Sequence, residues 1–324
     1  MLVCRTPYRI SLFGGGSDHP KWFQDHRGKV LSFSINKFSY LTGRELPPFY
    51  DHKYRLVYSR LETCALIDEI EHPAFREAIR HFSRGRNLEI HHHGDLPPRS
   101  GVGSSSSFVV GMLNLLSRLN DEVLSAVDLA NSAIHLEHEI LRENVGCQDQ
   151  IAVAIGGVNT IDFLQNSWSS NKITLTTSKI EEIEERCFLV YTGVQRISSD
   201  ITKDLFENFT SKQRYLERLV DIADFASLQI QTSESLEFIG ELLNESWALK
   251  KETNRSTTNS DLDEFIDFGK SCGAQAAKIL GAGGGGFVLF WLPRHSRSEF
   301  ASKFKRGLHI PFKIDFTGST FLHE

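Results

Sequence analysis

The 324-residue chain is short of cysteine, of basic excess and of long apolar runs, and each shortage excludes a class of protein. Its five cysteines (Cys4, Cys64, Cys147, Cys187 and Cys272) are scattered, odd in number and without paired spacing. That pattern argues against a disulfide framework and for a reducing compartment. The formal net charge is −5, so the basic excess that marks most nucleic-acid binders is missing. The apolar run at residues 287–292 is far too short to span a bilayer. The first residues hold no apolar leader and no cleavage site, so a cytoplasmic protein is expected, with neither nucleic acid nor membrane as partner. No internal repeat occurs, and the only biased tracts are runs of serine and glycine.

What is present suits an ordinary globular protein, 40% hydrophobic and 24% charged, of a length that favours two domains. Alternating patterns predict strands over 2–13 (interrupted at Pro7), 28–45, 54–59 and 88–90, with a helix over 73–82. A buried helix is expected over 108–119, a helical region over 121–142 and a second apolar helix from Ile151 to paired glycines. Strands at 158–163 and 173–177 flank a polar loop, 165–171, and a charge-rich turn at 179–186 divides domain 1–180 from domain 181–324. Beyond it the pattern predicts a strand at 187–191, helices from Ser198 through Trp247, and a long helix over 262–280. A strand at 287–292, a helix near 298–306 and a strand at 314–316 complete the chain. Strands, then helices, then strands again make an α+β order.

Three stretches could carry chemistry. In the first, Pro98, Ser100, Gly101, Val102, Gly103, Ser104, Ser105 and Ser106 lead directly into the buried helix. Glycines let successive N–H groups point into one concavity, and the first helical turn adds unpaired donors. Phosphate suits such a place, with serine hydroxyls available to its oxygens or to a hard metal ion; a flexible linker is the other reading. In the second, Arg9 precedes a turn of Gly14, Gly15, Gly16, Ser17 and Asp18, where Asp18 either caps the next helix or serves a site. In the third, Glu137 is either a helix charge or a Mg²⁺ ligand, and Asp149 either a helix cap or a base held at a cleft. The histidines at 91–93 lie on a strand, where neighbours point to opposite faces, and no cysteine or carboxylate stands at ligand spacing.

Several familiar strings lack their context. Gly281, Gly283 and Gly286 match a dinucleotide fingerprint, but a helix is expected before them and a strand after, the reverse of what that motif needs. Gly269, Lys270 and Ser271 resemble the end of a P-loop, yet Glu264 stands where the first glycine belongs. Asp267, Phe268 and Gly269 spell a protein-kinase triplet with none of its companions.

Taken together, residues 6–18, 98–107 and 278–287 resemble, in order and spacing, the three motifs of the GHMP small-molecule kinases. That family includes galactokinase, homoserine kinase and mevalonate kinase, and the resemblance covers essentially the whole chain. Residues 13–18, 146–150, 191–196 and 247–250 look most similar to the D-glycero-D-manno-heptose 7-phosphate kinases within it. Ser106 and Ser107 stand where many members carry an alanine, and Asn36 where relatives tend to have aspartate.

The resemblance implies a two-domain fold with the active site in the cleft between the domains. It implies an ATP-dependent kinase acting on a sugar or sugar phosphate, with Mg²⁺. The loop from Pro98 to Ser106 would wrap the ATP phosphates, with Ser104 or Ser105 and Glu137 on the metal. Asp149 would meet the sugar hydroxyl, faced by Arg9, whose charge is expected to hold its carboxyl low. Asp18, with Gly15, Gly16, Ser17, Gln148, Thr192, Arg196, Gly283, Gly284 and Gly285, would contact the acceptor, and a 7-phosphate would need further cations such as Arg196 and Lys203. An ATP-dependent decarboxylase and a silent binding module are the alternatives on this scaffold.

Overall fold

The computed structural model describes residues 1–165, 167–194, 209–253 and 257–322. The first half runs β1 (Leu2–Phe13), α1 (Pro20–Phe23), β2 (Gly28–Glu45), β3 (Tyr54–Val57), β4 (Leu61–Cys64), α2 (Pro73–Phe82), β5 (Leu88–Gly94) and α3 (Ser104–Leu119). It continues through α4 (Ala126–His135), a π-helical turn at Leu136–Ile140, α5 (Gln148–Ile155), β6 (Val158–Leu164) and β7 (Ser167–Lys172). Next come α6 (Thr177–Arg186), β8 (Cys187–Tyr191), α7 (Phe209–Thr232), α8 (Glu237–Thr253) and α9 (Ser260–Ser271). The chain closes with β9 (Ala276–Ile279), β10 (Phe287–Trp291), α10 (Arg297–Lys303), β11 (Leu308–Ile310) and β12 (Thr320–Phe321).

The long strand β2 is the spine of a mixed sheet ordered β12-β1-β2-β5-β3-β4. Along one side it pairs with β1; along the other, its first half pairs with β6 and its second with β5. Against this sheet lies α3, whose residues from Ser106 to Ser117 are all buried, because helices cover the side that the sheet does not. Gly111 permits the close approach: a Cβ there would sit 2.8 Å from the Thr6 hydroxyl on β1. A second, antiparallel sheet has the order β11-β8-β10-β9.

Several expectations are corrected here. β1 passes through Pro7 unbroken, absorbing it as a register shift between Pro7 and Tyr8. The polar stretch read as a loop forms β7, an outer strand that among the described residues pairs only with β6, and residues 173–176 are irregular. The charge-rich stretch is the helix α6, capped by Thr176, with Ile183 and Arg186 buried on one face. The long helix ends at Ser271, and Ala276–Ile279 is a strand, because pairing with β10 overrides a pattern that fits either state. The glycine run after it therefore joins two strands; with no helix following, the dinucleotide motif is still absent. Ile314 makes only an isolated bridge to Ile35, while β12 supplies the last strand at the edge of the first sheet. Strand β5 extends through all three histidines: His92 is held by the Ser39 hydroxyl and packs on Phe108, and His91 lies against Glu89.

Candidate active site

A cleft of about 270 Å³ opens where the turn after β1, the N-termini of α3 and α5, helix α8 and the β9–β10 turn converge. Arg9 and Asp149 meet there. Arg9 Nε donates to Asp149 Oδ1 at 2.8 Å and Nη2 donates to Oδ2 at 2.7 Å, while Nη1 donates to the Gly101 carbonyl at 2.7 Å. The planar guanidinium fits a carboxylate edge to edge, and the third contact ties the pair to the loop before α3. Arg9 was expected to hold Asp149 low. Instead, burial pushes its carboxyl above the usual range; the Arg9 charge and hydrogen bonds pull back, and Asp18 adds to the rise.

Asp18 clamps two elements together by accepting from the Gly16 N–H at 2.8 Å and the Gln148 N–H at 3.2 Å. Gly146 approaches it so closely that a Cβ would lie 1.9 Å from Asp18 Oδ2. Helix α3 begins at Gly103 (φ 75°) without any side-chain cap, so the donors of its first turn have no side-chain acceptor. The loop before it is pinned from the other side of the cleft. A Cβ on Gly101 would lie 2.5 Å from the Leu280 carbonyl oxygen, and one on Gly281 would lie 2.6 Å from Gly101 Cα. The Phe287 N–H also donates to the Ser100 carbonyl at 3.1 Å.

Glu137 comes into the cleft on the π-helical turn, a local widening of the helix that is common at functional sites. It is buried, accepts from the Ser106 hydroxyl at 3.2 Å and from Gln150 Nε2, and pairs with no arginine or lysine among the described residues. Burial, with Glu143 and Asp149 nearby, pushes it up to about 8, against the hydrogen bonds from Gln150 and Ser106. A buried carboxylate beside a hydroxyl, lacking a cation, is a donor set that fits a hard divalent ion. The serine that reaches Glu137 is Ser106; the Ser104 hydroxyl accepts from the Arg99 N–H, and Ser105 is exposed at the cleft.

Of the other expected residues, Gly15, Gly16, Gln148, Gly101, Gly103 and Ser104 line the cleft. Several do not, because each has a structural partner. The Ser17 hydroxyl donates to Gly14, the Ser100 hydroxyl to Pro97, and the Thr192 hydroxyl to Gly286. Val102 is buried in the core, and Pro98 is exposed outside the cleft wall. Gly283 and Gly284 pack on Thr257, and Gly285 on Val194; the turn meets the cleft through Gly281 and Ala282. Arg196 and Lys203 lie outside the described residues.

Residues 67–157 match the family model described as "GHMP kinases N terminal domain", and residues 229–309 match "GHMP kinases C terminal". The chain belongs to the GHMP kinases. It is 25% identical over 300 residues to a D-glycero-alpha-D-manno-heptose 7-phosphate kinase of Campylobacter jejuni, covering 89% of this chain and 88% of that one. A Pyrococcus furiosus galactokinase is 27% identical over 324 residues, covering 89% and 88%. Among solved structures, a D-glycero-D-manno-heptose 1-phosphate kinase from Bacteroides thetaiotaomicron superposes with a TM-score of 0.83 at 21% identity, covering 100% and 99%. The Lactococcus lactis galactokinase complexed with galactose gives 0.77 at 18%, covering 98% and 94%. Like these relatives, this GHMP kinase is an ATP-dependent phosphotransferase acting on a sugar hydroxyl.

Sequence reasoning missed part of the GHMP-kinase cleft wall. Trp247, Lys250, Thr257 and Lys278 line it from the second half of the chain. Lys250 and Lys278 both lie in stretches that carried the family resemblance, but 28 positions separate them, and no local pattern says that α8 and β9 face one cavity. Among the described residues, no helix is long and apolar enough to cross a membrane.

Proposed function

We propose that the protein transfers the γ-phosphoryl group of ATP to the anomeric hydroxyl of D-glycero-D-manno-heptose 7-phosphate, giving the 1,7-bisphosphate. The observation that carries this reading is the Arg9–Asp149 pair in a cleft that also holds Asp18 and two lysines, on a chain similar over 89% of its length to a heptose 7-phosphate kinase. The ATP phosphates lie against the backbone from Gly101 to Ser106 and the uncapped first turn of α3. Asp18 and Gln148 orient acceptor hydroxyls. Asp149 receives the hydroxyl proton as the new O–P bond forms and the bond to ADP breaks; its raised proton affinity suits that role. Arg9 fixes the carboxylate and disperses developing charge. Glu137 and Ser106, with Ser105 nearby, would hold Mg²⁺, which when bound neutralises phosphate charge. The division of the chain into 1–180 and 181–324, and a cytoplasmic location, belong to the same reading.

The similarity to the galactokinase supports a second reading, a kinase for a neutral sugar. An ADP-release assay across heptose 7-phosphate, free heptose, mannose, galactose and fucose, with and without Mg²⁺, decides between them. Preference for the 7-phosphate is expected; preference for galactose or fucose would sink the heptose assignment, and CO₂ release would point to a decarboxylase.

A further inference from the structure

Besides Arg99, two cations of the cleft, both from the second half of the chain, have no role in the account above. Lys278, on β9, donates from Nζ to the carbonyls of Leu12 at 2.7 Å and Ser11 at 3.2 Å, at the end of β1 just before the Gly14–Gly16 turn. An ammonium carries three donors, so this geometry leaves one for a ligand. Lys250, on α8, donates to the Gly281 carbonyl at 2.7 Å. Both line the same cavity as Arg9. Burial and the charges of Lys250 and Arg9 hold Lys278 down to about 7; burial and Arg9 hold Lys250 at about 8. Converging like charges of this kind are costly to assemble unless an anion joins them.

A second observation points the same way. Trp247 Nε1 and the Thr257 hydroxyl are buried, find no hydrogen-bond partner among the described residues, and belong to residues lining this cavity. Native proteins rarely leave such groups unsatisfied. The wall from the second half of the chain thus offers cations and donors together, which a phosphate bearing several acceptor oxygens would satisfy. The half of the cleft facing α3 already has its own anion-binding backbone. Lys278 is bonded to the Ser11 and Leu12 carbonyls that enter the Gly14–Gly16 turn. A Cβ on Gly15 of that turn would lie 3.5 Å from the Ser11 hydroxyl and 3.4 Å from Gln148 Nε2, so the lysine is anchored to the strand end that leads to Asp18.

We propose that Lys250 and Lys278 form an anion subsite for a phosphate carried by the acceptor itself, and that they set the preference for a phosphorylated over a neutral sugar. The inference rests on the sugar-phosphate kinase reading and names residues for its specificity.

The test compares wild type with Lys278→Met, Lys250→Met and Lys278→Arg. It measures kcat and KM for heptose 7-phosphate, for the unphosphorylated heptose and for ATP. Each methionine variant is expected to raise KM for the 7-phosphate about tenfold or more, the scale of a lost charge-assisted hydrogen bond. KM for ATP and for the neutral sugar should stay within about threefold, and Lys278→Arg should recover much of the loss. Equal losses on both acceptors would overturn the proposal and assign the lysines to the moving phosphoryl group; so would unchanged selectivity. If Lys278→Met does not fold, for want of its ties to β1, Lys250→Met carries the same comparison. Calorimetric titration of inorganic phosphate into ATP-free protein separates this inference from the reading beneath it. Should wild type phosphorylate no sugar phosphate, phosphate binding lost in the variants still supports the subsite, and binding that is absent or unchanged rejects it.

Discussion

Arg9 grips Asp149 through two nitrogens and at the same time holds the carbonyl of Gly101, so one side chain joins the Asp149 carboxylate to the loop that opens α3. On the proposed mechanism, catalysis and nucleotide placement are coupled through that guanidinium.

Asp149→Asn should therefore separate the two functions. The amide keeps the shape of the carboxylate but cannot accept the proton, so turnover should fall by about a hundredfold or more. ATP binding, measured by calorimetry, should stay near the wild-type value. Unchanged turnover would sink the assignment of Asp149.

Arg9→Met should lose on both counts. Removing one partner of a largely buried ion pair costs about 3–5 kcal/mol and leaves Asp149 without its partner. A lower melting temperature together with a higher KM for ATP is the expected signature. Arg9→Lys keeps the charge but cannot make the two-pronged contact, and should recover stability better than activity.

Ser106→Ala and Ser105→Ala should differ in their demand for Mg²⁺. Only the Ser106 hydroxyl touches Glu137, so its loss should raise the half-saturating Mg²⁺ concentration about tenfold, on the scale of lost supporting contacts at metal sites. Ser105→Ala should change it less. Equal effects in a Mg²⁺ titration of ADP release would place the metal nearer the start of the helix.

The pH profile of kcat/KM should depend on the acceptor. With a phosphorylated sugar it should rise near pH 6, as the phosphate becomes a dianion. It should then fall above about 7 to 8, as Lys278 and Lys250 lose their protons. A depressed lysine is charged only below its own pKa, so the loss lies on the alkaline side. The charges that act on these lysines are Arg9 on β1 and, for Lys278, Lys250 on α8; the carboxylates that line the same cleft are Asp18, Glu137, Glu143 and Asp149. With a neutral sugar the alkaline fall should be shallower.

Much of this architecture was legible because its strongest signals are local. The glycine and serine run before α3 and the turn that ends at Asp18 advertise backbone geometry through residue type alone. Strand β2 was readable end to end because it pairs on both sides along its length. Ala276–Ile279 was not, since a short apolar run fits helix or strand, and only its place beside β10 decides. That the Ser106 hydroxyl is the one to reach Glu137 was not legible, because the phase of α3 depends on where Gly103 ends the loop. The rise in the affinity of Asp149 for a proton was hidden as well: sequence shows a neighbouring arginine but not the depth of burial that outweighs it.

Gly101 and Gly281 meet as bare backbone, with no room between them for a side chain. The seam between the two halves of the cleft is therefore written in main-chain atoms. On the second wall, Lys250 is bonded to the Gly281 carbonyl at this seam and Lys278 to the Ser11 and Leu12 carbonyls of β1, so both side chains reach the cleft from fixed main-chain positions. A chain built this way changes its acceptor preference only through substitutions that keep those carbonyls satisfied, which narrows the routes by which that wall can drift.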